Sequence, residues 1–303
     1  MNINRFLPSQ HFILTRDLEC LTIDIPRLTQ HSPTNPSIVN AQEENKLVVT
    51  VRGVRNQYFK NKYIGVNNEN YILVITENLS IENYDFIEDR HIQYDKRAEN
   101  GIEDLRIFWW KQNYWVLGTT YCGDFSHNCR NLKNTMILAK LIHNTICEPF
   151  FISSPKNAHR EKNWVPVPKG EKLYYIYRCS PFTLYEQKEF DLIDISCNFN
   201  FNMKSLRTWS GSSVAIPFRD GYLAIFHNRV EGYFKKYYEH RVIQFDDKLN
   251  VKKIGHPFCF EHMGIEFCAG LAFKNDCAFF SYGVGDTRAV VMKIHLRDFI
   301  TLL

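Results

Sequence analysis

A chain of 303 residues with a formal net charge of +4 has no cationic excess of the kind that holds a polyanion. Its basic residues form no dense run beyond pairs such as Lys235-Lys236, which argues against a nucleic-acid partner. Hydrophobic residues at 45% and charged residues at 23% are ordinary for a globular protein, whereas aromatics at 15%, with 23 Phe and 16 Tyr, lean towards β-structure.

At the N-terminus, "MNINRFLPSQHFILTRDLEC" contains no apolar stretch of signal-peptide length. No later window approaches the roughly 18 apolar residues of a membrane span, so a cytoplasmic protein is expected. Strands are predicted at "KLVVTVR" (Lys46–Arg52), "NYILVIT" (Asn70–Thr76), "LRIFWW" and "YWVLGTTY". The segment Asn131–Asn144 reads as a helix or a strand. Further strands follow at "KLYYIYR" (Lys172–Arg178), "SSVAIPF", "GYLAIFH" (Gly221–His227), "HRVIQFD" (His240–Asp246), "AGLAFK", "CAFFSYGV" and "RAVVMKIHL". Apolar runs joined by a few polar residues, as in "FWWKQNYW" and "FKNDCAFF", are hairpin patterns.

These strands group into five segments of roughly 40 to 50 residues, the period of propeller blades. The predicted fold is an all-β, five-bladed β-propeller occupying residues 1–303 as a single domain. Its blades are placed near 35–95, 100–150, 158–200, 205–258 and 264–303. The piece "FILTRD" (Phe12–Asp17) is expected to add a strand to the last blade and close the ring.

The nine cysteines are Cys20, Cys122, Cys129, Cys147, Cys179, Cys197, Cys259, Cys268 and Cys277, and none forms a Cys-x-x-Cys pair. A zinc site is not expected. Cys268 and Cys277 read as small core residues. Glu88–His91, His256 and His262 match no metal spacing, and "GVGD" has no helix pattern after it to make a phosphate loop.

Charged residues recur at the ends of apolar strands. Arg52 follows "LVVTV", Asp104 and Arg106 precede "IFWW", and Lys162-Asn163 precede "WVPV". Arg178, Arg207, His227 and Asp286 flank later strands in the same way. In a propeller, such positions converge on the axis. "NPSIV…KLVVTVR", "GIEDLRI…YWVLGTTY", "KNWVPV…KLYYIYR", "DGYLAIFH" and "EFCAGLAF…FFSYGVGD" occur in this order between Asn35 and about Lys293. They resemble glycoside hydrolase family 130, five-bladed propellers that act as β-mannoside phosphorylases and hydrolases. Leu105 stands where that family usually has Pro, and "RTWSGSS" replaces a stretch richer in Gly and Pro.

The resemblance implies a glycoside phosphorylase that cleaves a β-mannoside with inversion, giving mannose 1-phosphate. Inorganic phosphate is then a co-substrate, with no other cofactor and no metal. Asp104 becomes the general acid, working through a sugar hydroxyl. Burial beside Glu103 is expected to raise its pKa. On residue type alone, Asp104 is a turn-capping residue paired with Arg106. Arg52, Glu103, Arg106, Asn163 and Asp286 become sugar contacts. Lys162, Arg178, Arg207 and His227 become phosphate ligands, with Tyr238 or Tyr237 as a hydroxyl donor.

Four basic groups in one cavity would repel one another without an anion among them. Trp164 and Trp209 are candidate sugar platforms, and Trp109, Trp110 and Trp115 read as core. A hydrolase needs a second carboxylate, for which Glu266 is the spare one. Mannosyl transfer and glycan binding without catalysis are the alternative functions. The partner is an oligosaccharide or glycoside, and an oligomer is left open.

Overall fold

The structure is a computed structural model. It describes residues 12–14, 18–25, 31–59, 62–92, 99–121, 134–158, 160–189, 191–196, 206–231 and 236–303. Cys122, Cys129, Cys197 and Lys235 lie outside them, as do Thr15–Asp17. The five expected sheets are present and form a five-bladed β-propeller.

Blade 1 runs Ser32–Asn40, Lys46–Phe59, Lys62–Thr76 and Ile81–Phe86 from the axis outwards. Blade 2 runs Glu103–Trp110, Asn113–Tyr121, Asn134–Ile142 and Thr145–Ile152, so the ambiguous Asn131–Asn144 segment is a strand over Asn134–Ile142. Blade 3 spans Val165–Asp194, blade 4 Trp209–Cys259 and blade 5 Glu266–His295. A short helix, Leu296–Phe299, follows.

Ring closure differs in detail from expectation. The outermost strand of blade 5 is Glu19–Ile23, antiparallel to Arg288–His295. The more apolar Phe12–Ile13 instead pairs parallel with Phe258–Cys259 in blade 4.

The apolar runs are continuous because each central strand is buried on both faces. In "KLVVTVR", Leu47, Val49 and Val51 pack against Phe279 and Val291 of blade 5, while Val48 joins Ile107 and Val116 of blade 2. Leu223 and Ile225 likewise face blade 5, and Ala224 and Phe226 face blade 3. The core of the described residues is divided into five clusters, one at each blade junction. Cys268 belongs to one of them, and Cys277 is only half-buried at the edge of another.

Polar bridges stitch the same junctions. Ser37 Oγ donates to the Ala269 carbonyl at 3.1 Å and accepts from the Ile107 N–H at 3.2 Å, joining blades 5, 1 and 2. Trp110 Nε1 donates to the Gly170 carbonyl at 3.0 Å across blades 2 and 3, and Ala215 N to Pro166 O at 2.9 Å across blades 3 and 4.

The blade 4–5 junction holds a fully buried His240 between the rings of Phe258 and Phe260. Its Nε2 accepts from the Cys268 N–H at 3.4 Å, which requires that nitrogen to be unprotonated. Burial, reinforced by nearby His227, holds the His240 pKa well below the ordinary imidazole range. The unfolded chain takes up this proton below about pH 6.5 and the folded chain does not, so stability falls as pH drops through that value. One such group supplies a slope of up to about 1.4 kcal/mol per pH unit. Urea unfolding at about pH 6.5 and about pH 5 should show a smaller acid loss in His240→Gln than in the wild type. Equal losses would assign the slope to other groups.

Candidate active site

A cavity of ≈ 680 Å³ opens on the propeller axis. Blade 1 contributes Thr34, Asn35 and Arg52, and blade 2 contributes Glu103 and Asp104. Lys162 and Asn163 precede blade 3. His227 and Tyr238 belong to blade 4, and Phe267 and Asp286 to blade 5. Of the expected site residues, Asp104, Arg52, Glu103, Asn163, Asp286, Lys162, His227 and Tyr238 thus meet in one hollow.

Asp104 is set in place by a bulge. The register of blade 2 shifts between Glu103 and Arg106, and Asp104 takes a left-handed φ of 53°. The first strand of blade 1 has the same device, where the register shifts between Thr34 and Ser37 and Asn35 has a φ of 45°. The two bulges face each other, and Asn35 Nδ2 donates to Asp104 Oδ1 at 2.8 Å. Arg52 Nη1 donates to the same oxygen at 2.9 Å and lies 3.2 Å from Glu103 Oε1, while its Nε donates to Asn68 Oδ1 at 2.7 Å.

The expected upward pKa shift of Asp104 does not occur. Burial pushes the carboxyl up, but the Arg52 charge, the Asn35 hydrogen bond and the Arg106 charge together outweigh it and hold the group below the usual range. The cavity carboxyl that is raised is Asp286, by burial and by the charge of Asp104, against the pull of Arg52 and Lys162. Asp286 has a φ of 55° and follows Gly285, also left-handed at 62°. Gly283 has a different task from turning the chain. A Cβ there would stand 2.3 Å from Asn35 Oδ1, so glycine lets Asn35 keep its place beside Asp104.

Arg106 does not line the cavity, contrary to expectation. It is fully buried beneath the floor. Its Nε donates to the Ser212 carbonyl at 2.6 Å, Nη1 to the Asp104 carbonyl and Nη2 to Asn163 Oδ1, both at 3.3 Å. The guanidinium also packs over Phe267, 5.7 Å from the ring centre. Arg106 therefore braces blade 2 to blade 4 and orients Asn163.

His227 is buried and shares a 2.8 Å hydrogen bond between Nδ1 and Ser212 Oγ. Burial and the charges of Arg106 and Lys162 lower its pKa to about 3, so it is neutral at ordinary pH and adds no charge to the expected cation set. Arg178 and Arg207 lie apart from it. They line a second cavity of ≈ 300 Å³ together with Trp209, and Lys162 and Asn163 form the wall it shares with the first. The expected phosphate ligands are thus split across two adjoining hollows. Tyr237 is not among the residues lining either.

Two other expectations are corrected. Glu266 is fully buried with its carboxylate turned away from the cavity, accepting the backbone N–H groups of Phe260, Glu261 and His262 at 2.7, 2.8 and 3.0 Å. It is a turn anchor and offers no base to the cavity. Trp164 is 1% exposed and packs edge-on against Tyr175 and Tyr177, so it is core. Trp209 reaches the second cavity but carries the Arg241 guanidinium 5.0 Å over its ring.

Sequence reasoning missed Asn35, Arg229, Lys236 and Glu161. The dipeptide Asn35-Pro36 before an apolar strand is a turn signal that marks the first. Glu161 is buried and binds Ser154, Trp164 Nε1 and Tyr177 OH, fixing the segment that presents Lys162 and Asn163.

No protein-family profile matches the sequence, and no curated protein matches it. Solved structures do match in shape. A structure reported for the GH130 family of mannoside phosphorylases, described as containing glycoside hydrolases that target β-1,2 mannosidic linkages in Candida mannan, superposes with a TM-score of 0.62 at 12% identity. It covers 88% of this chain and 85% of its own. β-1,2-Mannobiose phosphorylase from Listeria innocua, bound to β-1,2-mannobiose, gives 0.60 at 11% identity over 94% and 99% of the two chains. The GDP-Man-dependent mannosyltransferase MPT-1 from Leishmania mexicana gives 0.57 at 12% identity over 93% and 90%. The chain therefore shares the five-bladed fold of the GH130 mannoside phosphorylases, as its motifs implied.

Proposed function

We propose that this protein is a glycoside phosphorylase that splits a β-mannoside with inorganic phosphate and inverts the anomeric centre. One observation carries the reading. A carboxylate cluster of Glu103, Asp104 and Asp286 faces Lys162 within one cavity, and Lys162 also borders a second cavity walled by Arg178 and Arg207. A sugar fits the first hollow and a dianion the second, with the anomeric carbon at the shared wall.

In this mechanism a phosphate oxygen bonds to the anomeric carbon as the glycosidic C–O bond breaks, and the leaving oxygen takes a proton. Asp104 is held as a carboxylate in the free site by Arg52 and Asn35, so it has no proton to give there. A sugar hydroxyl that accepts from Arg52 draws that cation away, so Asp104 takes up a proton from solvent as the substrate enters. It keeps this proton once water is shut out and burial raises the carboxyl. The proton then passes from Asp104 through a sugar hydroxyl to the leaving oxygen. His227, being neutral, contributes a hydrogen bond and no charge.

Mannosyl transfer is the second reading, favoured by the fold shared with the Leishmania mannosyltransferase. Both readings put the same sugar over Asp104 and differ in what occupies the second cavity.

Incubation with β-mannobiose and inorganic phosphate should yield mannose 1-phosphate; free mannose alone would replace phosphorolysis with hydrolysis. Asp104→Asn should lower turnover about 10²- to 10⁴-fold while a thermal shift by mannose persists. Full turnover in that variant, with loss in Asp286→Asn, would move the proton to Asp286. Arg178→Gln and Arg207→Gln should each raise the KM for phosphate about 10- to 100-fold, the value of a charge-assisted hydrogen bond. An unchanged KM would remove phosphate from the second cavity.

A further inference from the structure

Two hairpins are longer than the rest. The central strands of blade 1 have 14 and 15 residues and those of blade 4 have 11 each, whereas no central strand of the other blades exceeds 9. Because the blades run in order round the ring, blade 4 stands across the axis from the junction of blades 1 and 2. The two long hairpins are therefore opposing walls of the cavity mouth.

Their faces differ in charge. On blade 1 the rungs Arg52–Asn70, Val54–Asn68 and Asn56–Val66 succeed one another towards the mouth, and Val54, Asn56 and Val66 line the cavity there. Among the described cavity-lining residues of that hairpin, Arg52 alone is charged. On blade 4 the rungs His227–His240, Arg229–Tyr238 and Glu231–Lys236 share one face by the two-residue period. They pass from fully buried His240 to exposed Arg229 and Lys236, and both of these cations line the cavity.

Only one carboxylate among the described residues of that face meets them. Glu231 lies 2.8 Å from Arg229 Nη2 and 4.0 Å from Lys236 Nζ, and it is itself exposed. One carboxylate on two cations leaves the wall net positive, and exposed pairs of this kind yield readily to a competing anion.

We propose that the leaving-group sugar carries an anionic substituent, a phosphate or a carboxylate, held at the cavity mouth by Arg229 and Lys236. The proposal rests on the glycoside reading above for the orientation of the sugar chain. The reacting sugar sits at Asp104 on the floor, so the next unit reaches the mouth, between Val54, Asn56 and Val66 on one side and the cations Arg229 and Lys236 on the other. In the synthetic direction the same subsite selects the acceptor.

The test separates binding from catalysis. Calorimetric titration with mannose, mannose 6-phosphate and glucuronic acid, in saturating inorganic phosphate to fill the second cavity, should show at least one anionic sugar binding about tenfold tighter than mannose. The double variant Arg229→Gln/Lys236→Gln should abolish that preference. The ranking of mannose 6-phosphate against glucuronic acid tells which anion the mouth suits. Transfer from mannose 1-phosphate to the same sugars should show the same ranking in kcat/KM. Equal binding of neutral and anionic sugars, or a preference that survives the double variant, overturns the proposal. The preference without any phosphorolysis of β-mannobiose would instead overturn the catalytic reading and leave an anionic-glycan site.

Discussion

Burying the Asp104 carboxylate on the propeller axis is the demand that the rest of the centre answers. A charge withdrawn from water costs several kcal/mol unless cations and donors meet it at contact distance. Arg52 and Asn35 of blade 1 meet one oxygen directly, and Arg106 supports it from below. Arg106 is a buried charge in turn, and its other nitrogens are taken up by Ser212 of blade 4 and Asn163 before blade 3. A single carboxylate thus draws on residues from most of the ring. Cleft shape and electrostatic balance are set together, because moving one blade relative to another would leave one of these charges without its partner.

The side chains reach the cavity by a repeated backbone device. Asn35, Asp104, Asn163 and Asp286 all have left-handed φ values, of 45°, 53°, 63° and 55°. Asn and Asp tolerate this region better than other residues with a side chain, and they also carry the groups needed for sugar recognition. Asn35, Asp104 and Asn163 stand at or just before the start of inner strands, and Asp286 in the turn between the central strands of blade 5. At each, the left-handed backbone turns the side chain out of the regular pleat. Each costs some backbone strain, which the packed blades hold in place. The pattern links residue type, local conformation and chemistry at four positions far apart in sequence.

The strands and their five-fold rhythm were legible because burial on both faces produces continuous apolar runs of strand length. The participation of Asp104, Arg52 and Lys162 in one hollow was legible from their place at strand ends and from the family motifs. Facing was harder to read. Glu266 and Phe267 are neighbours on one strand, so only one of them can face the cavity, and it is Phe267. Asp104 and Arg106 are two apart and would share a face on a regular strand, but the bulge between them sends Arg106 under the floor. The raised pKa assigned to Asp104 failed because burial was counted without Arg52, which comes from another blade. The cations on the blade 4 hairpin were not read as cavity residues, because nothing local marks a strand as overlong.

The closure of blade 5 has a consequence for how the chain comes to be folded. Glu19–Ile23 hydrogen-bonds to Arg288–His295, so paired residues such as Leu21 and Val291 are 291 − 21 = 270 positions apart in the chain. During synthesis Glu19–Ile23 has no mate until Arg288–His295 leaves the ribosome. A long stretch must therefore be threaded into loop closure before the circle locks, which makes assembly slow at its last step. Until then the rim of the last sheet presents bare amide and carbonyl groups that another chain could capture. The seam of the ring is where folding and aggregation compete.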